Sequence, residues 1–168
     1  IPLVHEACYV MERQKIQQTE IDSAVKFRLG FPMGIFELAD FTGLDVIHKA
    51  TVEMHTRDKK VILPHPTIEQ LFNEKKLGQK SGEGFYKYSD DKYERIPLSE
   101  ELAQKCDPVQ IIANILNNAA WLVTNNASDI DEIEKAANLG LGLKKPLFDT
   151  AKEIGMQKIV EELKKLSN

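Results

Sequence analysis

The stretch TEIDSAVKFRLGFPMGIFELADFTGLDVI, Thr19 to Ile47, returns in altered form as SDIDEIEKAANLGLGLKKPLFDTAKEIGMQKI, Ser128 to Ile159. Each copy runs through a polar cap, Ile-Asp, a helical stretch, Leu-Gly, a turn, a Phe and a Gly before the next helix. By residue type, Ile21-Asp22 pairs with Ile130-Asp131 and Leu29-Gly30 with Leu139-Gly140. Phe36 pairs with Phe148, and Gly43 with Gly155. A repeat of this size governs the architecture. It predicts two related helical units in tandem, residues 1–97 and a degenerate copy over residues 98–168.

The segments around the repeat read as helices too. Leu3, Ala7, Val10 and Met11 recur at helical spacing over residues 2–15, with Pro2 suited to a first turn. Thr19 reads as an N-cap, supported by Asp22, for a helix that stops at Gly30. Phe36 to Ile47 reads as one long apolar helix that Gly43 can bend. A loop over 57–66 and a short helix from Thr67 to Lys76 follow. GQKSGEGFYKY then changes character, with three glycines before Phe85, Tyr86 and Tyr88, and suggests a small hairpin near 84–96. Residues 97–106 read as a linker. Asp107-Pro108 opens a broad apolar helix, and segments 129–138, 146–154 and 156–166 complete the second copy. The fold class is all-α.

Composition narrows the function classes. The 168 residues are 42% hydrophobic and carry a formal net charge of −4, with no clustering of basic residues. Nucleic acid is therefore not an expected partner. No apolar run approaches the roughly 20 residues that cross a bilayer, so no membrane partner is expected. Cys8 and Cys106 have neither disulfide nor metal spacing. Two isolated thiols fit a reducing, cytoplasmic setting. The chain opens Ile1-Pro2-Leu3, without Met and already in helical pattern, which suggests a fragment or a processed product.

Few residues offer chemistry. His48 and His55 stand two helical turns apart, too far for a metal pair, and read as solvated or capping groups. Glu37 and Asp40 share a helix face at i, i+3, where paired carboxylates more often answer the helix dipole than catalyse. No Ser-His-Asp or Cys-His arrangement is evident. GQKSGEGFYKY is no Walker loop, and no GxGxxG follows a strand. It reads as a structural turn in which Gly82 and Gly84 take angles that other residues resist. No catalytic, metal or cofactor residue is expected in this chain.

With GFPMGIFELADFTGLD (Gly30 to Asp45), GQKSGEGFYKY (Gly78 to Tyr88) and the opening IPLVHEACYVM in order, the chain resembles the C-terminal helical domain of 3-hydroxyacyl-CoA dehydrogenases. That domain has a layout like the C-terminal domain of 6-phosphogluconate dehydrogenase. The resemblance covers residues 1–88 well. Residues 108–166 are similar to the degenerate second copy of the longer, multifunctional members. It implies an oxidoreductase of fatty-acid β-oxidation that passes hydride from the 3-hydroxyl of an acyl-CoA to NAD. NAD and the catalytic His-Glu pair are expected in a preceding Rossmann domain absent from this chain, which alone is expected to be inactive.

What the resemblance carries onto these residues is the substrate wall. Phe31, Met33, Gly34 and Phe36 match the part of the domain that faces the acyl thioester. Ile35 departs from the family's usual Pro. Lys144-Lys145-Pro146 replaces Met33-Gly34-Ile35 in the second copy, which therefore reads as scaffold. A tandem copy is also expected to satisfy, within one chain, the surface through which single-copy members dimerise. The longer members often bear an enoyl-CoA hydratase domain, a further expected partner. The competing reading is a stand-alone helical protein-interaction module without acyl-CoA activity.

Overall fold

Pro2 occupies the first turn of α1 (Pro2–Gln14), where its missing N–H costs no hydrogen bond, and Val4, Ala7, Cys8 and Val10 turn inward. The structure is a computed structural model, and it describes residues 1–89 and 97–166. After α1 come α2 (Gln18–Arg28), α3 (Ile35–Thr42), α4 (Leu44–Arg57) and α5 (Pro66–Asn73). A 3₁₀ turn (Gln79–Ser81) precedes α6 (Glu100–Ala103), α7 (Val109–Thr124), α8 (Ile130–Leu141), α9 (Leu147–Ile154) and α10 (Met156–Leu166). The all-α class expected from the sequence is what is found.

Several local expectations are corrected. The cap of α2 is Gln17, not Thr19, and its N–H donates to Glu20 Oε2 at 2.7 Å. The single helix expected across Phe36 to Ile47 is two helices. Gly43, at φ 99° and ψ 124°, ends α3 and starts α4, a conformation that a side chain resists. The linker expected over 97–106 contains α6, whose Ser99 Oγ accepts from Leu102 N–H at 3.1 Å. α6 lies on α2, with Ala103 and Cys106 buried. Of the expected hairpin, residues 90–96 lie outside the described residues. Before them the chain forms a tight loop in which isolated antiparallel bridges join Gly78 to Glu83 and Glu83 to Lys87.

Two turns share their geometry, at a spacing that differs from the pairing by residue type. Asp22 Oδ1 and Oδ2 accept the N–H groups of Phe36 and Glu37 at the start of α3, at 2.9 and 3.0 Å. Glu134 plays a similar part at the start of α9, one position earlier in the helix, accepting from Leu147 and Phe148 at 2.8 Å each. Gly30 and Gly142 are both left-handed, at φ 76° and 62°, and Gly43 and Gly155 share φ 99° and 94°. Asp22 and Glu134, Gly30 and Gly142, and Gly43 and Gly155 all stand 112 positions apart. So Asp22 corresponds to Glu134 rather than Asp131, and Leu29-Gly30 to Leu141-Gly142 rather than Leu139-Gly140. One extra methylene lets Glu134 do the work of Asp22.

One core runs through both sets of helices. Phe36, Ile21, Leu44 and Ile68 fill it on one side, and Ile111, Ile112, Leu147 and Ile159 on the other. Each contributes about 1.5–3 kcal/mol by leaving water. α1 packs against α7. There the buried Glu6 accepts from Arg13 at 3.1 Å and Asn114 at 3.3 Å, and also from Gln110. Gln14 exchanges two bonds with the Asp107 backbone, and Arg28 donates to the Cys106 carbonyl at 2.6 Å. A buried carboxylate with several donors holds α1 and α7 in one register.

Candidate functional site

The turn between α2 and α3 is held from behind by a carboxylate. Asp22 is fully buried and receives Phe36 N–H, Glu37 N–H and the Tyr86 hydroxyl, the last at 2.9 Å. Burial pushes its carboxyl up to about 7, against the pull of those three donors. Gly34 packs directly over it. A Cβ at Gly34 would lie 2.1 Å from Asp22 Cγ, so no larger residue fits without moving Asp22. Glu37 closes the turn by accepting from Gly34 N–H at 3.1 Å. The Glu37–Asp40 pair is therefore structural: Glu37 caps α3, while Asp40 faces a different partner.

That partner is the loop GQKSGEGFYKY. Asp40 accepts from Phe85 N–H, Tyr86 N–H and the Tyr88 hydroxyl, each at 2.9 Å. A Cβ at Gly84 would meet Asp40 Oδ1 at 2.1 Å, and one at Gly78 the Asp40 carbonyl at 2.2 Å. The glycines thus admit a carboxylate. Gly78 and Gly82 do have positive φ, but Gly84 serves by its lack of a side chain. Burial raises the Asp40 carboxyl and, strongly, both tyrosine hydroxyls. Phe85 then lays its ring on Phe36, with centroids 4.3 Å apart.

In front of the Gly34 turn lies a cavity of about 300 Å³. Phe31, Pro32, Met33, Gly34 and Leu38 form one side, Ile1 and Leu3 at the start of α1 another, and Gly140, Leu141 and Gly142 the far wall. No charged side chain lines it. Three of the residues expected at a substrate wall, Phe31, Met33 and Gly34, therefore meet at one cavity. Phe36 does not line it: its ring is fully buried against Phe85. The far wall was missed by sequence, because the type-matched repeat hid the pairing of Gly142 with Gly30. The two turns touch, with Lys144 N–H donating to the Gly30 carbonyl at 3.2 Å.

The histidines are structural. His5 Nε2 donates to Thr51 Oγ1 at 2.8 Å, since the Thr51 hydroxyl proton is committed to the Ile47 carbonyl. His5 Nδ1 accepts His65 N–H at 3.2 Å. Burial pushes His5 down to about 4, and a proton on Nδ1 would oppose the His65 N–H. His48, expected to be a solvated or capping group, stacks on Phe72 at 4.0 Å and pairs with Glu69 at 2.6 Å. His55 Nδ1 meets the Val61 carbonyl in the loop after α4. Among the described residues there is no group of three or more His, Cys, Asp or Glu that could hold a metal, and no helix long and apolar enough to cross a membrane.

Comparison with known proteins gives this architecture a family. Residues 1–88 match the family model described as 3-hydroxyacyl-CoA dehydrogenase, C-terminal domain. The chain belongs to this family. The mitochondrial hydroxyacyl-coenzyme A dehydrogenases of Rattus norvegicus and Homo sapiens are each 41% identical to it over 90 residues. Each match takes in 52% of this chain and 29% of the relative, so the chain spans less than a third of their length. The crystal structure of 3-hydroxybutyryl-CoA dehydrogenase from Escherichia coli K12 is similar in fold over 98% of this chain and 53% of its own. The TM-score is 0.75 and the identity 19%. The likeness in fold therefore extends beyond the residues that the family model matches.

The residues present do not fit NAD. The glycine-rich loop, the kind of turn that cradles phosphates elsewhere, is filled by the Asp40 carboxylate, whose charge repels one. The Gly34 turn is backed by Asp22 in the same way. No strand precedes either turn among the described residues.

Proposed function

We propose that this chain is the substrate-binding and assembly domain of an NAD-dependent 3-hydroxyacyl-CoA dehydrogenase, converting 3-hydroxyacyl-CoA to 3-oxoacyl-CoA in fatty-acid β-oxidation. A Rossmann domain elsewhere in the same polypeptide binds NAD and carries the catalytic base. An enoyl-CoA hydratase domain on that polypeptide would supply the 3-hydroxyacyl thioester. The domain divides into residues 1–97 and a second, degenerate unit, 98–168. Its unpaired buried cysteines, Cys8 and Cys106, fit a reducing compartment such as the cytoplasm.

The observation that carries this reading is the apolar cavity over the Phe31–Gly34 turn. A cavity without charged lining holds an acyl chain and excludes water, as a thioester site requires. Phe31 and Met33 form the wall, Gly34 brings its backbone to the cavity while its open side faces Asp22, and Phe36 supports the turn from behind. Met33, unbranched and pliable, adapts to the chain.

Met33→Glu in the complete gene product tests it. A carboxylate in the cavity must lower kcat/KM for 3-hydroxyacyl-CoA with NAD by at least about tenfold, since burying an unpaired charge costs well over about 1.4 kcal/mol. An unchanged kcat/KM would remove Met33 from the substrate wall.

A further inference from the structure

A second apolar hollow of about 190 Å³ adjoins the first. It is lined by Ile1, Pro2, Leu3, Asn114, Ile115, Asn118 and Leu141. The two hollows share Ile1, Leu3 and Leu141. Leu141 is the last residue of α8, followed at once by the left-handed Gly142. That turn is pinned to the first unit. Lys144 N–H bonds the Gly30 carbonyl at 3.2 Å, and a Cβ at Gly142 would sit 3.2 Å from Pro32 Cγ. Leu141 is itself half-buried and packed against the core. Its place between the hollows is therefore fixed by packing. Beyond it the surroundings change, as Asn114 and Asn118 bring polar groups to the far side of the second hollow.

Resting on the function proposed above, we infer that Leu141 and Leu3 are the divider that sets the length of acyl chain accepted. The first hollow, at the small end of ligand cavities, takes a short chain. A longer chain must pass between Leu3 and Leu141 into the second hollow, along Ile115. The second unit is then not mere scaffold: its α8 terminus supplies the residue that decides specificity.

The test is the ratio of kcat/KM for 3-hydroxydecanoyl-CoA to that for 3-hydroxybutyryl-CoA, followed as NADH formation by the complete gene product. Leu141→Ala joins the hollows and raises the ratio by about tenfold or more, the scale on which a hydrophobic pocket resolves chain methylenes. Leu141→Phe lowers it. Leu3→Ala, on a different helix, raises it as well and stands in for Leu141→Ala if that variant does not fold. Ratios unchanged in an enzyme that is otherwise active overturn the divider and leave the proposed function intact. A wild-type protein that turns over neither thioester overturns both.

Discussion

Gly34→Ala should be far more damaging than the addition of one methyl group suggests. A methyl there would lie 2.1 Å from Asp22 Cγ, 2.3 Å from Cβ and 2.4 Å from Oδ2. Carbon atoms in contact sit about 3.5–4.0 Å apart, so Asp22 must move by more than an ångström. It cannot do so and keep Phe36 N–H at 2.9 Å, Glu37 N–H at 3.0 Å and the Tyr86 hydroxyl at 2.9 Å. Overpacking costs about 1–3 kcal/mol. Each buried donor left unmatched adds about 1–3 kcal/mol. The lower entropy of an unfolded chain with Ala returns only about 0.4–1 kcal/mol. The expected loss is about 3 kcal/mol or more, read from urea unfolding followed by far-UV circular dichroism. Gly140→Ala is the contrast, since a Cβ there meets nothing within 4 Å inside α8, and it should stabilise by about 0.5–1 kcal/mol. Combining Gly34→Ala with Asp22→Ala should cost clearly less than the two losses added together, because the clash disappears with the carboxylate. A Gly34→Ala loss below about 0.5 kcal/mol, within the usual range of surface changes, or strict additivity with Asp22→Ala, would refute the argument.

Two buried groups give opposite dependences on pH, read as urea midpoints between pH 4 and 8. His5, ordinarily near 6.5, is held at about 4 in the fold, so its contribution is complete above pH 6.5 and lost as pH falls toward 4. Asp22, ordinarily near 3.8, is raised to about 7, so its contribution is largest below pH 4 and lost as pH rises toward 7. Asp22→Asn should therefore make the protein more acid-sensitive than wild type, and His5→Gln less so. Stability curves that run parallel to wild type for both variants would contradict these assignments.

The helices were legible because hydrophobic spacing and Gly or Pro punctuation are local signals. Pro2, Gly30 and Pro108 mark boundaries where the structure has them. What escaped were features set by distant residues. Thr19 looks like a cap, but Glu20 folds back onto Gln17 N–H and makes Gln17 the cap. Asp22 looks like a local helix-start residue, yet it serves α3, fourteen positions on. The same tertiary role passes to Glu134, so matching Ile-Asp with Ile-Asp misplaces the repeat. Gly43 reads as a bend, but whether a glycine bends or breaks a helix depends on its φ, and 99° breaks it. Phe31, Met33 and Gly34 line one cavity together because they share one turn. Phe36, one helical turn on, faces the opposite way, toward Phe85. Leu3 and Leu141 lie far apart in the chain and meet only through packing.

The account turns on one assay: NADH formation from 3-hydroxybutyryl-CoA and NAD by the complete gene product, beside this chain alone. Activity in the first and none in the second is the expected result, with the chain supplying the acyl wall and the dinucleotide held elsewhere. A complete product silent toward both short and long 3-hydroxyacyl thioesters would contradict it and leave a helical interaction module in its place.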